Sequence, residues 1–234
     1  MNPTVVLVHG AFADASSFAR LVPQLLDAGF RVLAPPVPNR SLAGDAAYLR
    51  SVLRSIAGPV VLAGHSYGSA VITVAGAESN VRALVYLCGF ALREGESVAE
   101  LQGRFPDAEL ASALVHTPYP LEGSTEPGTD LSVDIEKFPD VFAHDVDPAL
   151  ARVMAVSQRP LAATALAERA AVAAWRVKPS WGVIATGDGI VNPDVARFGY
   201  QRGRIRTVEI DSSHAVMLAH PEQVAGVIRE AASA

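Results

Sequence analysis

Gly64-His65-Ser66-Tyr67-Gly68 lies between two apolar runs, Val60-Val61-Leu62-Ala63 before it and Ala70-Val71-Ile72 after it. A serine with a glycine two positions away on each side, entered from a strand-like run and left through a helix-like one, is the pattern of a nucleophile elbow. The turn is so tight that a Cβ at either glycine would strike neighbouring backbone. The serine itself is held in strained backbone, with its Oγ clear of the strand end. The helix that follows presents free N–H groups to negative charge developing on a substrate oxygen. Ser66 is therefore the candidate nucleophile, the bland alternative being a plain glycine-serine turn.

A serine hydroxyl is a poor nucleophile near neutral pH and needs a base within hydrogen-bond reach, itself oriented by an acid. With an elbow serine, the partners follow later in the chain as acid and then histidine. His214, in Ser212-Ser213-His214-Ala215, falls between the last strand-like run and the last helical one and is the candidate base. The other histidines fit less well. His9 belongs to the turn after the first strand, His65 adjoins the nucleophile, His116 and His144 fall mid-chain, and His220 precedes Pro221 as a helix cap. For the acid, Asp188 sits directly after a strand-like run, in a turn with Gly187 and Gly189 on either side. Asp-Gly is also a common turn former. Of its competitors, Asp194 reads as a helix-start residue and Asp211 shares a strand end with His214. The oxyanion hole is expected from two backbone N–H groups, that of Tyr67 and that of Ala11 in His9-Gly10-Ala11-Phe12. The Phe12 and Tyr67 side chains are candidates to line a substrate pocket.

Positioning these residues requires a sheet. Val5-Val6-Leu7-Val8 is a continuous apolar run of the kind found in parallel strands covered on both faces. Phe18, Leu21, Val22, Leu25 and Leu26 then form a helical stripe closed by Gly29, with Pro23 placing the start of regular helix near Arg20. Arg31–Ala34 reads as a strand, and Ser41 caps a helix with Leu49, Val52, Leu53 and Ile56 on one face. The elbow strand, a helix from Tyr67 to about Ala77, and a strand from Val81 to Leu87 follow. This alternation predicts an α/β fold with a mostly parallel sheet flanked by helices. From about Phe90 to Pro179 the rhythm stops, and short helices and loops are expected. One helix begins at Asp147-Pro148, with aspartate as N-cap. Residues 117–129, rich in Pro, Gly and Ser, read as a mobile loop. Leu131, Val133 and Ile135 alternate as in a short strand. The rhythm resumes with strands over Trp181–Thr186 and Thr207–Ile210, a helix from Pro193, and a last helix from Pro221 with Val224, Val227 and Ile228 inward. The expected organisation is a core of residues 1–89 and 180–234, with residues 90–179 inserted as a helical cap.

At 234 residues, half of them apolar, the chain is long enough to bury a substantial core. A formal net charge of −5, with arginines scattered and only Lys137 and Lys178 as lysines, argues against nucleic acid or an acidic membrane as partner. The single cysteine, Cys88, forms no intrachain disulfide and reads as a buried small hydrophobe. The six histidines show none of the spacing that metal sites use, so no metal and no cofactor is expected. With no signal-peptide pattern and no transmembrane-length apolar run, the expectation is a cytoplasmic protein.

Together these motifs identify a resemblance. Over its whole length the chain resembles the α/β-hydrolase superfamily, beginning almost at the first parallel strand. Val8-His9-Gly10-Ala11, Gly64-His65-Ser66-Tyr67-Gly68, Gly187-Asp188 and Ser213-His214 are most similar to small bacterial hydrolases related to plant methylesterases and hydroxynitrile lyases. The resemblance implies that lyases of this group carry a lysine after the histidine and a threonine in the first oxyanion loop. Here those positions hold Ala215 and Ala11, which removes the cation a departing cyanide needs and favours ester hydrolysis. Ser69 replaces the glycine usual after the elbow. The expected function is a serine hydrolase acting on a small, fairly apolar carboxylic ester through an acyl-enzyme. Lyase, lactonase or amidase chemistry on the same scaffold, and a non-catalytic ligand-binding protein, are the alternatives. Oligomeric state is left open.

Overall fold

The computed structural model describes residues 2–234. Its first part alternates strand and helix: β1 (Thr4–Val8), α1 (Leu21–Asp27), β2 (Arg31–Leu33), α2 (Leu42–Arg54), β3 (Val60–His65), α3 (Tyr67–Ala75) and β4 (Val81–Leu87). The middle holds α4 (Val98–Gln102), β5 (Leu114–Tyr119), β6 (Gly128–Val133), α5 (Phe138–Ala143), α6 (Pro148–Val156), β7 (Leu161–Ala162) and α7 (Ala163–Ala167). The last part returns to β8 (Ser180–Ala185), α8 (Pro193–Gly203), β9 (Arg206–Ile210), α9 (Val216–Ala219) and α10 (Pro221–Ala232).

Six strands form one parallel sheet in the order β2-β1-β3-β4-β8-β9. Successive side chains on a strand point to opposite faces, and both faces here are covered, so the strands are apolar throughout. Val5, Leu7, Val61, Ala63, Val85 and Leu87 pack with Leu21 and Leu25 of α1 and Val224 and Ile228 of α10. Val6, Val8, Val60, Leu62, Leu84 and Tyr86 face the other way, toward Leu49 and Leu53 of α2 and Val71 of α3. Leu131, Val133, Phe138 and Phe142 from the middle segment belong to this second cluster, so the segment shares its core with the sheet.

Helix ends follow local chemistry. Ser41 Oγ accepts the Gly44 N–H at 3.0 Å, and Asp147 accepts those of Ala149 and Leu150 at 3.0 and 3.1 Å, with Pro148 opening α6. Pro221 opens α10, but the side chain of His220 makes no capping bond; its Nε2 lies 3.9 Å from Asp145 instead.

The middle segment differs from the helices and loops expected of it. It also contains a three-stranded antiparallel sheet, β5-β6-β7. Residues 117–119 and 128–129, expected in a loop, are paired in the β5–β6 hairpin, which leaves a shorter connection between them. Pro118 and the exposure of β5 hid this strand; at a sheet edge, proline removes no needed donor. Leu131 and Val133 do alternate inward, whereas Ile135 lies beyond the strand end and is exposed. Among the described residues, no helix is long and apolar enough to cross a membrane.

Candidate active site

Ser66 is the hinge between β3 and α3, with φ +52° and ψ −123°. Such positive φ at a non-glycine residue costs on the order of 1–3 kcal/mol and persists only where its surroundings impose it. The Ser66 N–H donates to the Leu87 carbonyl at 2.9 Å, and the Ser66 carbonyl accepts from the Ser69 N–H at 2.9 Å and from the Ser69 hydroxyl. Ser69 Oγ also receives the Phe90 N–H, so the residue that replaces the usual glycine ties the elbow to the loop after β4. A Cβ on Gly64 would lie 2.5 Å from the Gly68 carbonyl oxygen, and one on Gly68 would lie 2.4 Å from that of Val8. Both glycines are dictated by close backbone approach.

Asp188 follows β8, and His214 sits between β9 and α9. Asp188 Oδ2 lies 2.7 Å from His214 Nδ1, with both side chains buried. Its other oxygen accepts the N–H groups of Ile190 and Val191 at 2.8 and 2.9 Å, so the Asp-Gly turn and the bond to imidazole are made by one carboxylate. The carboxylate takes the proton on Nδ1 and leaves Nε2 as the bare lone pair, the tautomer a general base needs. That Nε2 is buried and has no hydrogen-bond partner among the described residues; the Ser66 hydroxyl makes no bond to it in this structure. The rival acids are elsewhere: Asp194 pairs with Arg197 in the first turn of α8, and Asp211 receives the Thr186 hydroxyl at 3.4 Å.

Gly10 abuts the nucleophile, since a Cβ there would lie 2.7 Å from Ser66 Cβ. Phe12, in the left-handed region at φ +62°, donates its N–H to the Arg159 carbonyl at 2.9 Å and is spoken for. Tyr67 is the first residue of α3, so its N–H has no acceptor within the helix. Ser66, Ala11, Phe12 and Tyr67 all border one cavity of about 290 Å³. The rest of its wall is largely apolar, with Leu110, Leu114, Leu131 and Leu161 supplied by the middle segment. The Tyr67 hydroxyl points away, donating to buried Asp45 on α2 at 2.8 Å. Burial raises both groups above their ordinary ranges, the neighbouring Asp45 charge adding to the rise at the phenol. His214, fully buried, forms no part of the cavity wall.

A family model described as "Alpha/beta hydrolase family" matches residues 5–227. The chain belongs to the alpha/beta hydrolase family. An alpha/beta hydrolase from Aspergillus novofumigatus, nvfD, is 25% identical over 99% of this chain and 97% of its own length. A carbendazim hydrolyzing esterase from Nocardioides is 32% identical, over 47% of this chain and 51% of that protein. The crystal structure of a methylesterase from Arabidopsis superposes with a TM-score of 0.81 at 17% identity, covering 99% of both chains, and so shares the fold.

In this hydrolase the loop carrying His214 is held by residues whose importance the sequence conceals. His65 Nε2–H donates to the His214 carbonyl at 2.9 Å, and the two ring centroids are 4.4 Å apart. Burial, with His214 beside it, holds the His65 pKa well below the usual imidazole range. Asp145 accepts the Ser213 N–H at 2.9 Å, and the Ala215 N–H donates to the Phe142 carbonyl at 3.1 Å. The Asp145 carboxyl stays below its ordinary pKa: burial opposes this, and hydrogen bonds from Ser213 and Ser212 prevail. Nothing in sequence spacing marks His65, Phe142 or Asp145, because each bond joins distant parts of the chain. The large apolar residues of the middle segment have roles of their own. Phe138 and Phe142 stack at 4.6 Å, Phe142 sets its ring edge-on to His214 at 4.9 Å, and Trp175 donates to the Leu92 carbonyl at 2.7 Å. Neither these nor Leu150 and Met154 border the cavity at Ser66. His9 is structural: Nε2 accepts the Val37 N–H at 2.9 Å and Nδ1–H donates to the Gly10 carbonyl at 2.9 Å. Cys88 is buried, which pushes its thiol pKa well up.

Proposed function

We propose that this alpha/beta hydrolase cleaves a small, fairly apolar carboxylic ester through an acyl-enzyme on Ser66. The reading rests above all on the strained Ser66 backbone at the wall of an apolar cavity, on the same elbow whose His65 grips the backbone of the Asp188-paired His214. Ser66 Oγ attacks the ester carbon while His214 Nε2 takes its proton. Asp188 keeps Nδ1 protonated and stabilises the imidazolium. The carbonyl oxygen, now an oxyanion, is received by the N–H groups of Ala11 and Tyr67, each such donor being typically worth about 10²–10³ in turnover. The tetrahedral adduct collapses, the C–O bond to the alcohol breaks, and the alkoxide leaves with the Nε2 proton. Water, deprotonated by the same nitrogen, then attacks the acyl-enzyme and releases acid and free serine. The bond between Oγ and Nε2, open in this structure, is of the kind that tightens only when substrate is bound. Residues 90–179 serve as the cap that gives the cavity its shape, and the protein acts in the cytoplasm.

Ala215 is fully buried where the related lyases carry a lysine, so the cyanide-releasing reading lacks its cation. A fluorophosphonate probe should label the protein stoichiometrically and fail to label Ser66→Ala. Labelling that persists in the variant overturns the assignment. Asp188→Asn, which favours the wrong tautomer, should lower kcat by on the order of 10³–10⁴ on a p-nitrophenyl ester; full activity in that variant would remove the carboxylate from the mechanism.

A further inference from the structure

We propose that Gln102 reads a neutral hydrogen-bonding group of the substrate lying outside the reacting ester, which narrows the substrate class to uncharged esters with an apolar body and one carbonyl, hydroxyl or N–H. The proposal rests on the ester-hydrolase reading of the cavity. Its starting point is a count of what the cavity wall still has to offer. Of the polar side chains on that wall, Ser66 is the nucleophile and the Tyr67 hydroxyl is committed to Asp45. Asn192 is spent twice, its amide donating to the Pro106 carbonyl and its oxygen accepting the Asp194 N–H, both at 3.0 Å. Asp107 is an exposed carboxylate. Gln102 remains, and none of the hydrogen bonds among the described residues uses its side-chain amide.

The position of Gln102 is well fixed. It ends α4, whose first turn is locked by a capping box: Ser97 Oγ accepts the Glu100 N–H at 3.1 Å, and the Glu100 carboxylate accepts the Ser97 N–H at 3.0 Å. Arg169 bonds both Glu100 and the Gly95 carbonyl, and the Gln102 carbonyl accepts the Phe105 N–H at 3.0 Å. Val98 and Leu101 face the core, while Ala99, Gln102 and Gly103, at i, i+3 and i+4, form the cavity face. An apolar substrate closing over that amide strips its water and returns nothing. A substrate with a matching group avoids a penalty that amounts to about tenfold or more in affinity. The amide carries donor and acceptor, so a ketone, hydroxyl or N–H satisfies it. The Asp107 carboxylate on the same wall disfavours an anionic substituent.

The test uses ethyl pentanoate and ethyl levulinate, which differ by one ketone, with monoethyl succinate as the anionic member. Calorimetry on Ser66→Ala reads binding without turnover, and wild-type kcat/KM is read on the same esters. Levulinate is expected to bind about tenfold more tightly than pentanoate, and the succinate monoanion more weakly than levulinate. In Ser66→Ala carrying Gln102→Leu or, separately, Gln102→Met, the levulinate-to-pentanoate ratio should fall to about one, a ratio that partial misfolding does not move. A ratio near one in the parent, or one that both substitutions leave intact, overturns the role of Gln102. Discrimination by Ser66→Ala with no hydrolysis of either ester by the wild type would instead sink the ester-hydrolase reading and leave the Gln102 contact standing.

Discussion

His65 donates one hydrogen bond, and that bond joins the two loops on which the proposed chemistry depends. It sits inside the five-residue elbow motif, so the geometry that exposes Ser66 also directs the preceding side chain at the backbone of His214. Removing a buried partner of this kind leaves the His214 carbonyl unsatisfied, a loss worth about 1–3 kcal/mol. His65→Leu should therefore lower kcat about ten- to a hundredfold when expressed per active site titrated with fluorophosphonate. His65→Gln, which can present an amide N–H near the position of Nε2, should recover much of that loss. Equal defects in the two variants would show that His65 matters only as packing. At this scale the sequence was legible where chemistry is local. Gly64 and Gly68 announce the elbow, and Asp188 and His214 lie at strand ends where a sheet must bring them together. The grip of His65, Phe142 and Asp145 on the base loop was hidden, since no short-range pattern encodes a bond between residues far apart in the chain. The Tyr67 side chain borders the cavity, and the partner of its hydroxyl, Asp45, was hidden because it belongs to another helix.

Elements were readable in proportion to their periodicity. The strand expected over Val81–Leu87 has those bounds in the structure, and the Asp147-Pro148 and Pro221 helix starts fall where their residue types place them. In the β5–β6 hairpin the alternation of Leu131 and Val133 marked β6, whereas β5 was missed because it is half solvated and carries Pro118, so neither alternation nor continuous hydrophobicity marks it. One polar cluster secures the start of the middle segment against α8. Glu96, 2% exposed, pairs with Arg202, with Arg104 at 3.0 Å and with Arg93 at 3.6 Å. Burial opposes ionisation of Glu96, but hydrogen bonds from the Arg202 side chain and the Arg93 N–H, with the charges of Arg202 and Arg104, hold its carboxyl below the usual pKa. Glu96→Ala should lower the unfolding free energy by about 1.5–3 kcal/mol, read from urea titrations. A variant as stable as the parent would make the cluster dispensable.

Across the whole molecule, two histidines set the pH range in which the fold is secure. His9 and His65 are fully buried, and burial depresses both below the ordinary imidazole value of 6.5. The unfolded chain takes up protons near 6.5 that the folded chain refuses, so the stability they contribute is present above that pH and lost as the pH falls below it. Asp45, raised by burial, has the opposite sign: what it contributes is present below the ordinary carboxylate value of 3.8 and is lost as the pH rises through its raised folded value. Tm should hold level above about pH 7 and decline from about pH 6.5 downward, and His9→Gln should shrink the decline. A Tm that does not change between pH 7 and pH 5 would contradict this account.

The clamp that Phe142 and Asp145 place on Ser213 and Ala215 has an evolutionary side. Exchanging the middle segment between members of this family is the obvious route to new substrates, since its leucines line the cavity. In this chain such a transplant would also replace the support of the imidazole, so specificity and rate would change together. Donor segments that keep the native stretch 141–145 are the ones that can vary the first while sparing the second.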